Sequence, residues 1–185
     1  DCEKYILMSS RILSDKGVKE YCLAAKIVRK KLGREVKFKL SGMIDTHSPT
    51  YISKSELTKL TVSCGVEYLG NRKDMPDLLA SALIFVLPSY YAEGVPKVLL
   101  EASASGVAVV TTDHPGCRDA VIEGETGLLV AARDANSLAG AVMQLLENRA
   151  LLSQMGSNGR ALVESTYRDS EVVSRHYKLY IELCK

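Results

Sequence analysis

Residues 83–102 read Leu83-Ile84-Phe85-Val86-Leu87-Pro88-Ser89-Tyr90-Tyr91-Ala92-Glu93-Gly94-Val95-Pro96-Lys97-Val98-Leu99-Leu100-Glu101-Ala102. The first five residues are continuously apolar, as a central parallel strand buried on both faces should be. Pro88-Ser89 breaks the run, a loop follows, and a helix is expected from about Pro96 to Ser105, ended by Gly106. The alternation continues in both directions. Upstream, Lys4–Ser9, Val36–Leu40 and Val66–Leu69 read as strands. Between them, Val18, Cys22, Ala25, Val28 and Leu32 recur at helical spacing, with Ser14 or Asp15 as cap, Gly17 at the start and Gly33 at the stop. Leu57, Leu60 and Val62 mark a polar helix after Pro49, and Met75–Ala82 a short one with Pro76 in its first turn. Downstream, Val107–Val110 and Gly127–Val130 are strands. Asp134 caps a helix with Leu138, Ala141, Val142, Leu145 and Leu146 on one face, and the tail through Met155, Leu162, Val172 and Tyr177 reads as helices.

Strands separated by helices predict the α/β class: a Rossmann-like, doubly wound parallel sheet in a single domain over residues 1–185, with C-terminal helices. Ligands of such sheets bind beyond the carboxyl ends of the strands. Ser10-Arg11, Gly42, Gly70-Asn71, Pro88–Pro96 and Thr111–Gly116 therefore carry the functional interest.

Composition narrows the classes. With 185 residues, 46% hydrophobic and 25% charged, the chain can bury a core without disulfides or metals. No apolar run approaches the roughly 18 residues of a membrane span. The opening Asp1-Cys2-Glu3-Lys4 has neither a signal peptide nor an initiator Met and reads as part of a longer polypeptide. Cys2, Cys22, Cys64, Cys117 and Cys184 are scattered, which supports reduced cytosolic thiols over a disulfide framework or a zinc site. The first 75 residues carry 15 Lys/Arg against 9 Asp/Glu, and the remainder 9 against 13. A mildly basic first half suits a phosphate-bearing small ligand as well as an ordinary solvated surface, and is too weak for nucleic acid. GxGxxG, the P-loop and GxSxG are all absent.

Glu93 and Glu101 are the chemically pointed pair. On one helix, eight residues rise about 12 Å. Glycosidase carboxyls sit roughly 5 to 9.5 Å apart, so a hydrolytic acid–base pair is disfavoured. One carboxylate on the loop and one in the helix would instead grip opposite ends of an elongated ligand. The amides of Gly94, Val95 and Lys97 would face an anion between them, Pro96 having no N–H to donate. An anion flanked by hydroxyl-rich groups describes a nucleoside diphosphate sugar. Glu101 also has a structural alternative, as the partner of Arg118 or Lys97.

The segment Glu93–Ala102 resembles the glutamate–seven residues–glutamate signature of retaining GT-B glycosyltransferases of family 4. The resemblance covers nearly the whole chain, through Arg11, Lys16-Gly17, Val66–Gly70, Leu83–Ser89, Thr112–Asp119 and Gly124–Val130. It departs at Ser10, where the family has Gly, and at Val95-Pro96, where Phe-Gly is common. The match is to the C-terminal, donor-binding domain, without the N-terminal acceptor domain.

The resemblance implies a catalytic set of Glu93, Lys16 and Arg11, with Arg11 and Lys16 on the donor diphosphate. It places Glu93 at the sugar, Glu101 at the ribose, Gly94, Val95, Pro96, Lys97 and Val98 along phosphate and sugar, and Leu69-Gly70 near the nucleobase. It implies retaining transfer of a hexosyl or N-acetylhexosaminyl group, with UDP as the expected nucleotide and no essential metal. The acceptor would be a polysaccharide or a lipid-linked saccharide, bound through the missing domain. The protein would be cytoplasmic, with peripheral attachment at the inner membrane face. Two alternatives stand beside this reading: a non-catalytic nucleotide-sugar-binding module, and a GT-B nucleotide-sugar epimerase.

Overall fold

The computed structural model describes residues 3–33 and 36–184. Cys2 lies outside the described residues, as does the side chain of Val172. Six strands, β1 (Tyr5–Ser9), β2 (Phe38–Ser41), β3 (Val66–Tyr68), β4 (Ala82–Leu87), β5 (Ala108–Thr112) and β6 (Gly127–Val130), form one sheet in the order β3-β2-β1-β4-β5-β6. Every neighbouring pair is parallel. The chain winds outward from β1 to β3, returns across β1, and winds outward again from β4 to β6. This is the doubly wound α/β sheet the sequence predicts, and its order reverses between β1 and β4.

Helices α1 (Val18–Leu32), α2 (Lys54–Cys64) and α5 (Ala135–Glu147) pack together in one layer, α1 touching both of the others. Helices α4 (Lys97–Ala104) and α6 (Arg149–Thr166) pack on each other and on β5. Helix α3 (Met75–Ser81) leads into β4, and α7 (Asp169–Leu183) closes the chain. In β4, Ile84, Phe85, Val86 and Leu87 are all buried. Each such side chain stabilises the fold by roughly 1.5–3 kcal/mol when fully buried. The Asp134 side chain caps α5 by accepting from the amides of Asn136 and Ser137.

One local expectation is corrected, and two helices show faces that the pattern left open. Ser14 and Asp15 do not cap α1: Ser14–Lys16 form a 3-10 turn, and Gly17 precedes α1 with no side-chain cap. Val62 is 76% exposed, while Leu57, Thr61 and Cys64 form the buried face of α2. Leu57 and Val62 are five positions apart and so point to different sides of a helix. On α7, Tyr177, Tyr180 and Leu183 are exposed.

Candidate functional site

The switch point between β1 and β4 is built from three interlocked loops. After β1 the chain passes through Ser10 and Arg11 into the Ser14–Lys16 turn. Gly17 (φ +78) lies so close to the loop after β4 that a Cβ there would fall 2.7 Å from the Pro88 carbonyl carbon. The Tyr90 amide donates to the Asp15 carbonyl at 2.9 Å, and the buried Ser89 hydroxyl donates to the same oxygen at 3.4 Å. The third loop joins through hydroxyls. Thr111 Oγ1 donates to the Leu87 carbonyl at 2.7 Å, and Thr112 Oγ1 donates to that of Ser89.

Gly116 supports the loop that carries Glu93. It has φ +84, and a Cβ would lie 2.6 Å from the Gly94 carbonyl oxygen and closer still to that of Glu93. Only a residue without a side chain allows this approach in a left-handed conformation. The Gly116 amide donates to Asp119 Oδ2 at 3.0 Å, which fixes its own turn.

A cleft of about 320 Å³ opens over these loops. Of the residues singled out in the sequence, it brings together Arg11, Lys16, Glu93, Pro96, Lys97, Val98 and Glu101. Ser10, singled out as a position beyond a strand end, also lines it, together with Ser9, Met75 and Leu87, which were not singled out. Leu69, Gly70, Gly94 and Val95 do not line it. Gly70 follows β3, where its carbonyl accepts from the Gly42 amide at 2.8 Å, and Leu69 packs against the core. The Gly94 carbonyl faces Gly116. A second hollow, of about 350 Å³, lies at the opposite ends of the strands between Lys4, Ile6, Leu83 and Arg149. Parallel sheets of this kind bind ligands at the carboxyl ends, which favours the first.

Arg11 and Lys16 in the cleft are each paired with a carboxylate. Lys16 is 6% exposed, and its ammonium donates to Glu93 Oε1 while lying 5.0 Å from the centre of the Tyr91 ring. Aromatic and carboxylate together offset the cost of burying this cation. Arg11 Nη1 donates to Asp45 Oδ2 at 3.0 Å, in the segment after β2. Nothing local in the sequence marks Asp45, which lies 34 positions from its partner. Glu101 is exposed on α4 and forms no ion pair among the described residues. Its structural alternative fails at Arg118, which pairs with Asp113 at 3.1 Å. Helix α4 starts at Lys97 behind Pro96, with no side chain capping it. The amide end of its first turn thus sits at the cleft that Lys97 and Val98 line.

Burial raises the Tyr90 hydroxyl above its usual range, and the nearby Glu20 carboxylate adds to the shift. The Arg133 guanidinium opposes it from 4.5 Å over the same ring. Among the described residues, no group of three or more His, Cys, Asp or Glu is placed to hold a metal ion.

Residues 1–162 match the family described as "Glycosyl transferases group 1". This chain belongs to that family. The group 1 chain is 35% identical, over all 185 of its residues and 46% of the relative, to N,N'-diacetylbacillosaminyl-diphospho-undecaprenol alpha-1,3-N-acetylgalactosaminyltransferase of Campylobacter jejuni. It is 32% identical, over 85% of its length and 40% of the relative, to the capsular polysaccharide biosynthesis glycosyltransferase CapM of Staphylococcus aureus. It thus spans less than half of each. Sucrose-phosphate synthase of Thermosynechococcus elongatus superposes with a TM-score of 0.84 at 26% identity, covering 99% of this chain and 46% of that one.

Proposed function

We propose that this chain is the donor-binding half of a retaining glycosyltransferase, and that the switch-point cleft holds a nucleoside diphosphate sugar. The carrying observation is the convergence of Arg11, Lys16, the first turn of α4, Glu93 and Glu101 on one cleft. Arg11 offers a guanidinium fork and Lys16 a point charge to the diphosphate. The free amides at the start of α4 add donors of the same sign. Glu93, on the loop, and Glu101, inside the helix, accept from hydroxyls at the two ends of the ligand, sugar and ribose.

In the transfer, the bond between the anomeric carbon and the phosphate oxygen breaks, and its electron pair passes to the diphosphate. The acceptor hydroxyl bonds to the anomeric carbon and gives up its proton to the departing diphosphate, which has gained the electron pair. Cations already fixed where the leaving group gains charge lower the barrier without reorganising. The reading assigns this neutralisation to Arg11, Lys16 and the α4 amides, with no essential metal.

The names of the relatives support a saccharide acceptor. One transfers N-acetylgalactosamine to a diphospho-undecaprenol-linked sugar, and the other acts in capsular polysaccharide biosynthesis. We infer transfer of a hexosyl or N-acetylhexosaminyl group, with UDP as the nucleotide, to a polysaccharide or lipid-linked acceptor held by a separate N-terminal domain. No described helix is long and apolar enough to cross a membrane. The whole protein is proposed to act in the cytoplasm, attached peripherally where its acceptor is lipid-linked.

The test is calorimetric titration of the full-length protein with UDP and GDP, on wild type and on Glu101→Ala, with product analysis of turnover in wild type and Glu93→Ala. Binding weakened by Glu101→Ala and a new glycosidic bond lost in Glu93→Ala are expected. Absence of binding to any nucleotide removes the reading. Binding without transfer converts it to a sensing module, and an inverted sugar to an epimerase.

A further inference from the structure

The segment after β2 lies alongside the one after β1 and is tied to it at several points. The Ile12 amide donates to the Met43 carbonyl at 2.8 Å, the Ser14 amide to the Thr50 carbonyl at 2.8 Å, and the Ile52 amide to the Ile12 carbonyl at 3.2 Å. Leu13 and Tyr51 form an antiparallel bridge. Two side chains then reach from this segment to the neighbourhood of the cleft's cations. Thr50 Oγ1 donates to Asp15 Oδ2 at 2.9 Å, one residue before Lys16, and Asp45 Oδ2 accepts from Arg11 Nη1 at 3.0 Å. Asp45 is itself held, because its Oδ1 accepts the His47 amide at 3.2 Å.

The asymmetry of the Arg11–Asp45 pair decides what it does. The Asp45 side chain is 18% exposed and that of Arg11 is 48% exposed. The carboxylate is therefore the fixed member and the guanidinium the mobile one. A guanidinium carries five N–H donors in a rigid plane. Asp45 engages Nη1 alone, which leaves Nε and Nη2 free to point elsewhere. An exposed arginine without such a tether samples many rotamers, and ordering it on binding costs roughly 0.5–1.5 kcal/mol.

We propose that Asp45 is a positioning residue for the donor diphosphate. It holds Arg11 by one edge of the guanidinium so that the other edge is already aimed when the diphosphate arrives. The inference rests on the reading of the cleft as a diphosphate site. It adds that the segment after β2, which contributes no lining residue, determines how well that site works.

The test is a double-mutant cycle in the full-length protein, read by titration with UDP and with uridine. Asp45→Asn keeps the size of the side chain and its acceptor for the His47 amide, and removes the charge. It should weaken UDP roughly three- to tenfold, the ordering cost of one long side chain. Uridine, which offers no phosphate, should bind unchanged. In an Arg11→Ala background, Asp45→Asn should have no further effect on UDP.

A merely structural role would weaken UDP and uridine together and would persist without Arg11, which overturns the proposal. Tighter UDP binding in Asp45→Asn would show that Asp45 competes with the phosphate, which also overturns it. If wild type binds no nucleotide, the reading of the cleft fails and this inference falls with it. If wild type binds and Asp45→Asn matches it, the inference alone fails. Circular dichroism melting confirms that each variant is folded before it is scored.

Discussion

Gly116→Ala should disable the cleft from a position that does not line it. An added Cβ would lie 2.6 Å from the Gly94 carbonyl oxygen, whereas real Cβ contacts stay above 3.0 Å. The Glu93–Gly94 backbone must therefore shift by at least about 0.4 Å, and by more at Glu93. The opposing atoms are main chain, so no rotamer change relieves the clash. Productive geometry tolerates about 0.5 Å of error, and about 1 Å of misplacement costs on the order of a hundredfold in rate. Transfer by the full-length protein should fall about 10- to 100-fold. Stability should fall by about 2–4 kcal/mol, from about 1 kcal/mol of left-handed strain plus about 1–3 kcal/mol of overpacking.

Gly124→Ala is the matched control. Gly124 has φ +77, so it carries the same torsional cost, but a Cβ there would meet nothing within 4 Å. It should lose about 1 kcal/mol and keep its activity. Steady-state transfer and urea unfolding on both variants separate strain from displacement. If Gly116→Ala retained the activity of Gly124→Ala, Gly116 would not set the position of Glu93.

Other perturbations have defined signs. Lys16→Met keeps most of the stem but leaves Glu93 without its cation; the loss should be about 1–3 kcal/mol in urea, below the range for fully buried pairs because Glu93 keeps 27% of its side-chain exposure. Burial pushes the Cys22 thiol up to about 12, whereas the unfolded chain releases that proton near 9. Stability should thus be full below pH 9 and fall between pH 9 and 12, by up to about 1.4 kcal/mol per pH unit from this group. Cys22→Ala should flatten that slope in urea midpoints measured from pH 8 to 11. Burial also raises the Tyr21 hydroxyl, which adds to the decline above pH 10. Arg29 donates to the carbonyls of Val36 (2.9 Å), Cys64 (2.8 Å) and Gly65, and so ties the end of α1 to the turn before β3. Arg29→Lys cannot reproduce that fork and should cost about 1.5–3 kcal/mol without changing nucleotide affinity.

The parts of the fold legible in the sequence are those fixed by short-range pattern. Leu83–Leu87 could be read because a strand covered on both faces is apolar throughout, and α5 because its stripe and its Asp134 cap agree. The Ser14–Lys16 turn was not legible. Its shape depends on Thr50 and on the Ser89–Tyr90 backbone, which are distant in sequence. The quoted Thr112–Asp119 stretch contains Gly116, but the need for glycine there arises from a backbone 22 positions away. Asp45 sits in a loop with no periodicity, between Met43-Ile44 and Thr46-His47, so only the tertiary contact with Arg11 distinguishes it. Leu69 and Gly70, given to the nucleobase through the resemblance, follow β3 and are not among the residues lining the cleft.

The charge asymmetry of the chain acts differently from what its arithmetic suggests. Of the 15 basic residues in the first 75, only Arg11 and Lys16 line the cleft. Lys26, Lys30 and Lys31 project from the exposed side of α1, and Lys37 and Lys39 pair with Glu3 near the other end of the sheet. Arg11 and Lys16, moreover, already have carboxylates. A broad positive field would draw in any polyanion, whereas paired charges reward only a ligand that presents acceptors and hydroxyls in the right places. The residual imbalance is local to α4. Lys97 and Glu101 stand one turn apart, both line the cleft, and they form no ion pair with each other. A ligand carrying phosphate at one point and vicinal hydroxyls at another can satisfy both. A simple anion can satisfy only the lysine. On the proposed reading, therefore, Lys97→Ala and Glu101→Ala should each weaken a UDP-sugar more than inorganic phosphate in calorimetric titration. Equal losses for both ligands would refute a role for the spacing along this helix.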